Sequence, residues 1–349
     1  MKILVALIGL LAGSNLLAQT TRRPPPPTAA VDQSQAAADT VAVQVMLDRA
    51  GFSPGVIDGR PGANLKRALA AFQRANGLAE SGVADEQTRQ RLGGTTGTAP
   101  LTSYTIRDAD VAGSFTPNIP ADLVAQSKLE ALGYRNALEA IAERFHTTPQ
   151  FLQRLNGEAA FAKAGEQIRV PNVDPFELPQ PGATAERGRG RGPEQRGASA
   201  AGRGRRGNTE TTPEFTITVT KSTSAVTVED STGRVIFHAP VTTGSEHDPL
   251  PVGNWKVTTV QVMPKFHYNP DLFWDANPGQ SKATIQSGPN NPVGIAWIDL
   301  TKEHYGLHGT PEPAQIGHVE SHGCVRLTNW DVARLLKWAQ PGTPVVFRE

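Results

Sequence analysis

The chain is poor in cysteine: its 349 residues include one, Cys324. A single thiol excludes any disulfide within the chain and any zinc finger built on several cysteines. Charged residues are also scarce, at 19%, and balanced, with 34 Lys plus Arg against 33 Asp plus Glu for a net charge of +1. That balance excludes a global attraction to nucleic acid or another polyanion. Hydrophobic residues reach only 38%, and beyond the N-terminus no run approaches the ~20 apolar residues needed to cross a bilayer. Glycine (34) and proline (28) are in excess, which points to folded segments broken by linkers rather than to disorder throughout or a collagen repeat. At ~150 residues per domain the length predicts two or three domains.

Residues 1–18, MKILVALIGLLAGSNLLA, combine Lys2, an apolar run from Ile3 to Leu11 and small residues near Ala18. This is the pattern of a secretory signal peptide cleaved after Ala18, and the run is short for a membrane anchor. Export to a periplasm or cell wall is expected, with no transmembrane anchor in the mature chain. Export sharpens the meaning of the lone cysteine. A thiol in an oxidising compartment is a liability, and a nucleophilic role is one reason for it to persist.

Residues 19–39, with Pro24–Pro27 and an Ala/Gln/Ser run, read as a flexible spacer. From Thr40, three short helices are predicted around turns at Gly51, Gly55, Gly59 and Gly77, the third opened by Asp85 as N-cap, with Leu69 and Phe72 as core. Residues 94–103 are a Gly/Thr-rich linker. Between Tyr104 and Val173 a strand-like YTI precedes helical stretches at 138–145 and 149–155, and His146 reads as a surface residue at a helix end. Residues 174–213 carry RGRGRG and AGRGRRG, seven arginines against five acidic residues, and read mainly as a solvated tether. Beyond Pro213 the texture is β. Alternating or β-branched runs at 215–219, 225–228, 235–237, 257–262 and 343–347 accompany one helix at 329–338, enough residues for a core of their own.

Four of the eight histidines fall between 304 and 322, beside the cysteine, in HYGLHGT at 304–310 and SHGCVRL at 321–327. A free thiol, with a pKa of ~8.5, needs a neighbouring imidazole or positive potential to attack a carbonyl at neutral pH. His308 reaches Cys324 if the two lie on adjacent strands or loops, and His322, two positions away, shares its face in an extended segment. Gly309 and Gly323 permit tight turns and close substrate approach. Backbone N–H groups at Gly323 and Cys324 are candidates for an oxyanion hole, worth ~3 kcal/mol per donor. Arg326 offers a fixed fork for a substrate carboxylate and favours the thiolate. The rival chemistry is a metal site using His304, His308, His318, His322 and Cys324. The i, i+4 pair His304/His308 suits a helical zinc site, but Gly306, Gly309, Pro311 and Pro313 argue against a helix there.

These motifs carry three resemblances. GFSPGVIDGRPG, AFQRANGL and SGVADEQTRQRL resemble the three-helix peptidoglycan-binding domain over residues 40–93, with Asn64 where that family often has Thr. ALEAIAERFHTTPQFLQRLN and AGEQIRVPN resemble a degenerate LysM glycan-binding repeat over 104–173, its centre, Ala109–Tyr134, being longer than that module normally carries. HYGLHGTPEP…SHGCVRLTN, with TITVTKSTSAVTVED, DPLPVGNWKV and SGPNNPVGIAWIDL upstream, resembles the L,D-transpeptidase (YkuD) catalytic domain over 214–349. The fold implied is multidomain α+β: a three-helix bundle, a mixed LysM-like segment and a mainly-β catalytic domain, a β-sandwich with a late helix. The resemblance implies Cys324 as nucleophile, His308 as general acid/base oriented by the Gly309 carbonyl, Gly323 in the oxyanion hole, Ser321 and His322 shaping the pocket, and Arg326 and Tyr305 binding substrate. It implies no metal or organic cofactor, peptidoglycan stem peptides and glycan as partners rather than nucleic acid, and carbapenems as covalent inhibitors. The expected reaction is a 3→3 cross-link made through a thioester, with loss of D-alanine. Alternatives are hydrolysis of the same bond by an L,D-carboxypeptidase, attachment of a protein to the wall, or wall binding without catalysis. Two wall-affine modules would tether a searching catalytic domain.

Overall fold

A computed structural model describes residues 27–93, 99–180, 214–273, 276, 279–321 and 323–349. The expected signal peptide, most of the Arg/Gly linker and His322 lie outside the described residues.

Three helices open the described chain: α1 (Pro27–Arg49), α2 (Ala63–Ala75) and α3 (Glu86–Gly93). The Asp85 side chain accepts a hydrogen bond from the Thr88 N–H at 2.8 Å and caps α3. Leu69 and Phe72 are buried with Val43, Leu47 and Phe52, and Phe52 meets Phe72 edge-on at 5.4 Å. The 19–39 spacer is corrected in part, because residues 27–39 are helical. Ala and Gln are strong helix formers, and the run continues without a break into the apolar face of α1.

The middle segment runs β1 (Leu101–Thr105), α4 (Asp108–Val111), α5 (Leu123–Gln126), α6 (Ala137–Arg144), α7 (Pro149–Asn156) and β2 (Gln167–Pro171), with β1 antiparallel to β2. Asn136 and Thr148 cap α6 and α7 by accepting from the Glu139 and Phe151 N–H groups. The core here is shared: Val41, Val45 and Ile57 of the helical module pack with Ile141, Phe145, Leu152, Ile168 and Val170. His146 is not a surface residue. It is 1% exposed, with its ring stacked on Trp330 at 5.3 Å and its Nδ1 3.1 Å from the Asp48 carboxylate.

Strands β3 (Phe215–Thr220), β4 (Ala225–Asp230), β5 (Val235–Pro240), β6 (Gly253–Val262), β9 (Ala296–Leu300), β10 (Gly306–His308), β11 (Val325–Arg326) and β12 (Pro344–Arg348) form one sheet, while β7 (Phe266–Tyr268) and β8 (Ala283–Ile285) make a separate hairpin. The order is β11-β10-β9-β6-β12-β3-β4-β5. The expected sandwich is realised as a single curled sheet: the register of β6 on β9 shifts between Val257 and Val260, and strands on both sides of β6 bury Ile217, Val226, Phe237, Ile298, Leu307 and Val325 in one core. Helix α8 (Asn329–Leu335), capped by Thr328, adds Trp330 and Leu335 to that core.

The described residues from 37 to 349 form one compact unit. Arg334 of α8 donates to both Asp48 oxygens at 2.7 and 2.9 Å, Ser53 Oγ donates to Asp331 at 2.9 Å, and Asn64 Nδ2 donates to the Ile316 carbonyl at 2.8 Å. The expected picture of modules on a searching tether thus differs from the packing, in which these polar contacts join the helical module to the C-terminal sheet domain. Asn64, the departure from the bundle family's Thr, makes one of those joints.

Candidate active site

Strand β10 pairs antiparallel with β9 and parallel with β11, so Leu307 faces Val325 and His308 faces Arg326. Cys324, immediately before β11, thereby enters the cleft that His308 lines. This cleft, of about 860 Å³, also takes Tyr305, Thr310, Glu312, Trp297 and Asp248 into its walls.

His308 is 4% exposed, and its ring stacks on Trp297 at 5.3 Å. Its Nδ1 lies 2.7 Å from the Gly309 carbonyl. A carbonyl only accepts, so Nδ1 carries the proton and Nε2 keeps its lone pair. Burial, then the nearby Arg326 charge, pushes His308 down to about 3, and the ring is neutral at any physiological pH. Burial pushes the Cys324 thiol up from its ordinary value, against the pull of the Gly306 backbone and Arg326, while Asp248 adds to the rise. The cleft therefore holds a neutral imidazole with one ring nitrogen uncommitted together with the Cys324 thiol, whose Sγ lies 3.8 Å from the His304 carbonyl.

The glycines have geometric reasons. Gly323 sits at φ 101°, and a Cβ there would fall 3.0 Å from the Tyr305 ring. A Cβ at Gly309 would overlap the Asn329 side-chain oxygen. Ser321 donates its hydroxyl to the Cys324 carbonyl at 2.6 Å and so braces the turn that carries Cys324. Arg326 lines the cleft, while its backbone N–H donates to the Thr242 carbonyl at 2.9 Å, fixing β11. Burial raises the Tyr305 phenol, with added pressure from Asp248 and Cys324. His304 stands exposed beside Glu303, and no group of three or more metal-ligating side chains occurs among the described residues.

Three features escaped the motif reading. The first is Asp248, on a loop between β5 and β6. The second is Asn329, whose Oδ1 accepts from the Ile295 N–H at 3.2 Å while its Nδ2 donates to Glu143 at 3.0 Å. The third is the long centre of the middle segment, which reaches the cleft. Leu132, Tyr268 and Ile285 form a small core with Ile119, Leu123 and Phe266, and Leu123 itself lines the cleft. The Leu132 backbone donates to the Ser287 carbonyl at 3.1 Å and accepts from the Asn290 N–H at 3.0 Å. Gly288 permits this approach, since a Cβ there would overlap the Leu132 carbonyl. The unusual length of 109–134 was the available signal, though it carried no hint of where the excess chain would dock.

Residues 214–347 match the family described as "L,D-transpeptidase catalytic domain", and residues 36–92 match the "Putative peptidoglycan binding domain". The chain is 47% identical over 60 residues to "Putative L,D-transpeptidase YkuD" of Bacillus subtilis, covering 17% of this chain and 37% of that protein. It is 30% identical over 115 residues to "Putative L,D-transpeptidase YqjB" of the same organism, covering 31% and 57% respectively. The chain thus spans between about a third and somewhat over half the length of these two relatives. A solved structure of L,D-transpeptidase 3 from Mycobacterium tuberculosis with a faropenem-derived adduct aligns over 39% of this chain and 61% of that one, at 18% identity and a TM-score of 0.33. The chain carries a YkuD L,D-transpeptidase catalytic domain at 214–347 and, ahead of it, a peptidoglycan-binding domain at 36–92.

Proposed function

We propose that this protein is an exported, wall-associated peptidoglycan L,D-transpeptidase that forms 3→3 cross-links through a thioester on Cys324. Its sulfur attacks the carbonyl joining the third residue of a tetrapeptide stem to the terminal D-alanine. As the S–C bond forms, the thiol proton passes to His308 Nε2, which delivers it to the departing D-alanine amine as the C–N bond breaks. An amine on the diamino acid of a second stem then attacks the thioester, its proton returns through His308 to the sulfur, and an amide remains. Backbone N–H groups around Gly323 hold the oxyanion, Ser321 and His322 shape the pocket, and Arg326 with Tyr305 positions the donor. The middle segment acts as a LysM-like glycan-binding module, and carbapenems acylate the same sulfur.

The observation that carries this reading is the His308 imidazole with Nδ1 committed to Gly309 and Nε2 free, in one cleft with the chain's single thiol. Cys324→Ala is expected to abolish tetrapeptide turnover and carbapenem adducts in the intact mass. Turnover retained in that variant would sink the mechanism, and loss of wild-type activity in EDTA would favour a metal instead. Mass spectrometry of the products separates cross-linking (dimers) from hydrolysis (tripeptides) and from protein attachment (protein adducts).

A further inference from the structure

Asp248 lines the cleft with Cys324, His308 and Tyr305, yet the steps above give it no part. Among the described residues no donor reaches its Oδ2, which is buried, while the side chain as a whole is part-exposed to the cleft. An unpaired buried carboxylate oxygen costs free energy, and its persistence calls for an explanation such as a donor supplied from outside the fold.

Its place is held by the chain on either side of it. The Ser321 N–H donates to the Thr243 carbonyl at 2.9 Å, the Ser245 N–H donates back to the Ser321 carbonyl at 3.1 Å, and the Asp248 N–H rests on Ser245 Oγ at 3.3 Å. Between them Gly244 leaves no room for a side chain: a Cβ there would overlap the Asp248 carbonyl and lie 3.0 Å from the Gly323 Cα. The carboxylate is therefore locked to the turn that presents the nucleophile. Its negative charge works against the Cys324 thiolate and so against the first half-reaction. A group that burdens the first step while lacking a donor fits a role in the second. The complementary ligand brings N–H donors and positive charge. Of the reactants in the proposed reaction, the acceptor matches, because an amine at neutral pH is an ammonium.

We propose that Asp248 binds the acceptor stem's ammonium, takes one of its protons so that the nitrogen lone pair is freed (the second proton passing through His308 to the sulfur as the amide forms, and the Asp248 proton leaving to solvent), and thereby favours that amine over water as the group that resolves the thioester. The inference rests on the transpeptidase reading and assigns the acceptor side of the same cleft.

Asp248→Asn keeps the shape and removes the charge. The full chain, wild type and variant, is incubated with purified disaccharide-tetrapeptide, and dimers and tripeptides are counted by mass spectrometry. The dimer-to-tripeptide ratio is expected to fall ~10-fold, in line with loss of one charge-assisted hydrogen bond. A ratio within about twofold of wild type overturns the inference. Asp248→Ser supplies a second variant should the amide not fold. Alkylation of Cys324 by iodoacetamide across pH gives a readout free of turnover: Asp248→Asn should react at lower pH than wild type, and coincident profiles would overturn the placement beside the sulfur. Should wild type yield neither dimer nor tripeptide, the transpeptidase reading fails, and the alkylation profiles still report whether Asp248 faces the thiol.

Discussion

Asn329 and Glu143, 186 positions apart, meet in a buried hydrogen bond of 3.0 Å from the Asn329 amide to Glu143 Oε1. The other Asn329 atom holds the Ile295 N–H and abuts Gly309, so a carboxyl from the middle segment supports the floor beneath the His308 imidazole. Burial pushes Glu143 up to about 8, against the pull of its bonds from Asn329 and Tyr134. The folded protein therefore prefers the neutral acid. Stability from this group is complete below the unfolded value of ~4.3 and is lost as pH rises through about 8. Glu143→Gln keeps the acceptor and removes the charge. The variant should melt higher than wild type at pH 9, with the gap closing toward pH 5. Calorimetry showing a pH-independent gap, or the reverse sign, would refute the buried neutral acid.

Asp48 ties α1 to α8 and to the middle segment at one point. Burial alone would raise its carboxyl, but His146 and Arg334 together hold it well below the carboxylate range. Removing one partner of a buried pair leaves an uncompensated charge, at a cost of ~3–5 kcal/mol. Asp48→Ala should lower stability by that amount in urea unfolding, because Arg334 loses both bonds. Asp48→Leu combined with Arg334→Met should recover a large part of the loss. A single variant as stable as wild type would show that the contact is not formed in solution.

The placing of the candidate site residues in one cleft was legible because the motifs are local: HGT and SHGC each fit on a few residues, which fall on or beside the paired strands β10 and β11. What holds the site was not legible. Glu143 sits on an amphipathic helix, where an acidic residue is exposed by default, and only the tertiary position of Asn329 makes it a buried acid. His146 followed the same rule and was misread as surface, since nothing near it in sequence announces Asp48, 98 positions earlier, or the Trp330 ring. The helix at 27–39 was hidden by composition, because an Ala/Gln/Ser run suits a spacer and a helix equally until its apolar continuation at Val41–Leu47 finds a core.

Leu132 is fully buried against Tyr268 and Ile285, so the middle segment carries part of the β7–β8 hairpin that walls the cleft. Truncating a buried leucine costs ~2–5 kcal/mol, mostly as a local cavity. Leu132→Ala should speed hydrogen exchange at 266–268 and 283–285 more than in the sheet core, and should raise KM for the donor peptide more than it lowers kcat. Leu69→Ala, in the helical bundle, is the control for general destabilisation. If both variants change KM alike, the hairpin owes nothing specific to the middle segment.

Alkylation of Cys324 against pH tests the electrostatics of the pair. Burial raises the thiol above its ordinary value, so the iodoacetamide rate in wild type should rise only at a pH above that of a free cysteine peptide. Arg326 opposes that rise, and Arg326→Met removes a positive charge that favours the thiolate, so its profile should move further to alkaline pH. His308, held down at about 3, contributes no second inflection between pH 5 and 8, and His308→Gln should leave the shape of the curve in that range unchanged. A wild-type inflection near pH 6 that vanishes in His308→Gln would mean that the imidazole titrates against the thiol as an ion pair. The resting state would then be thiolate–imidazolium, and proton transfer would precede substrate attack rather than accompany it.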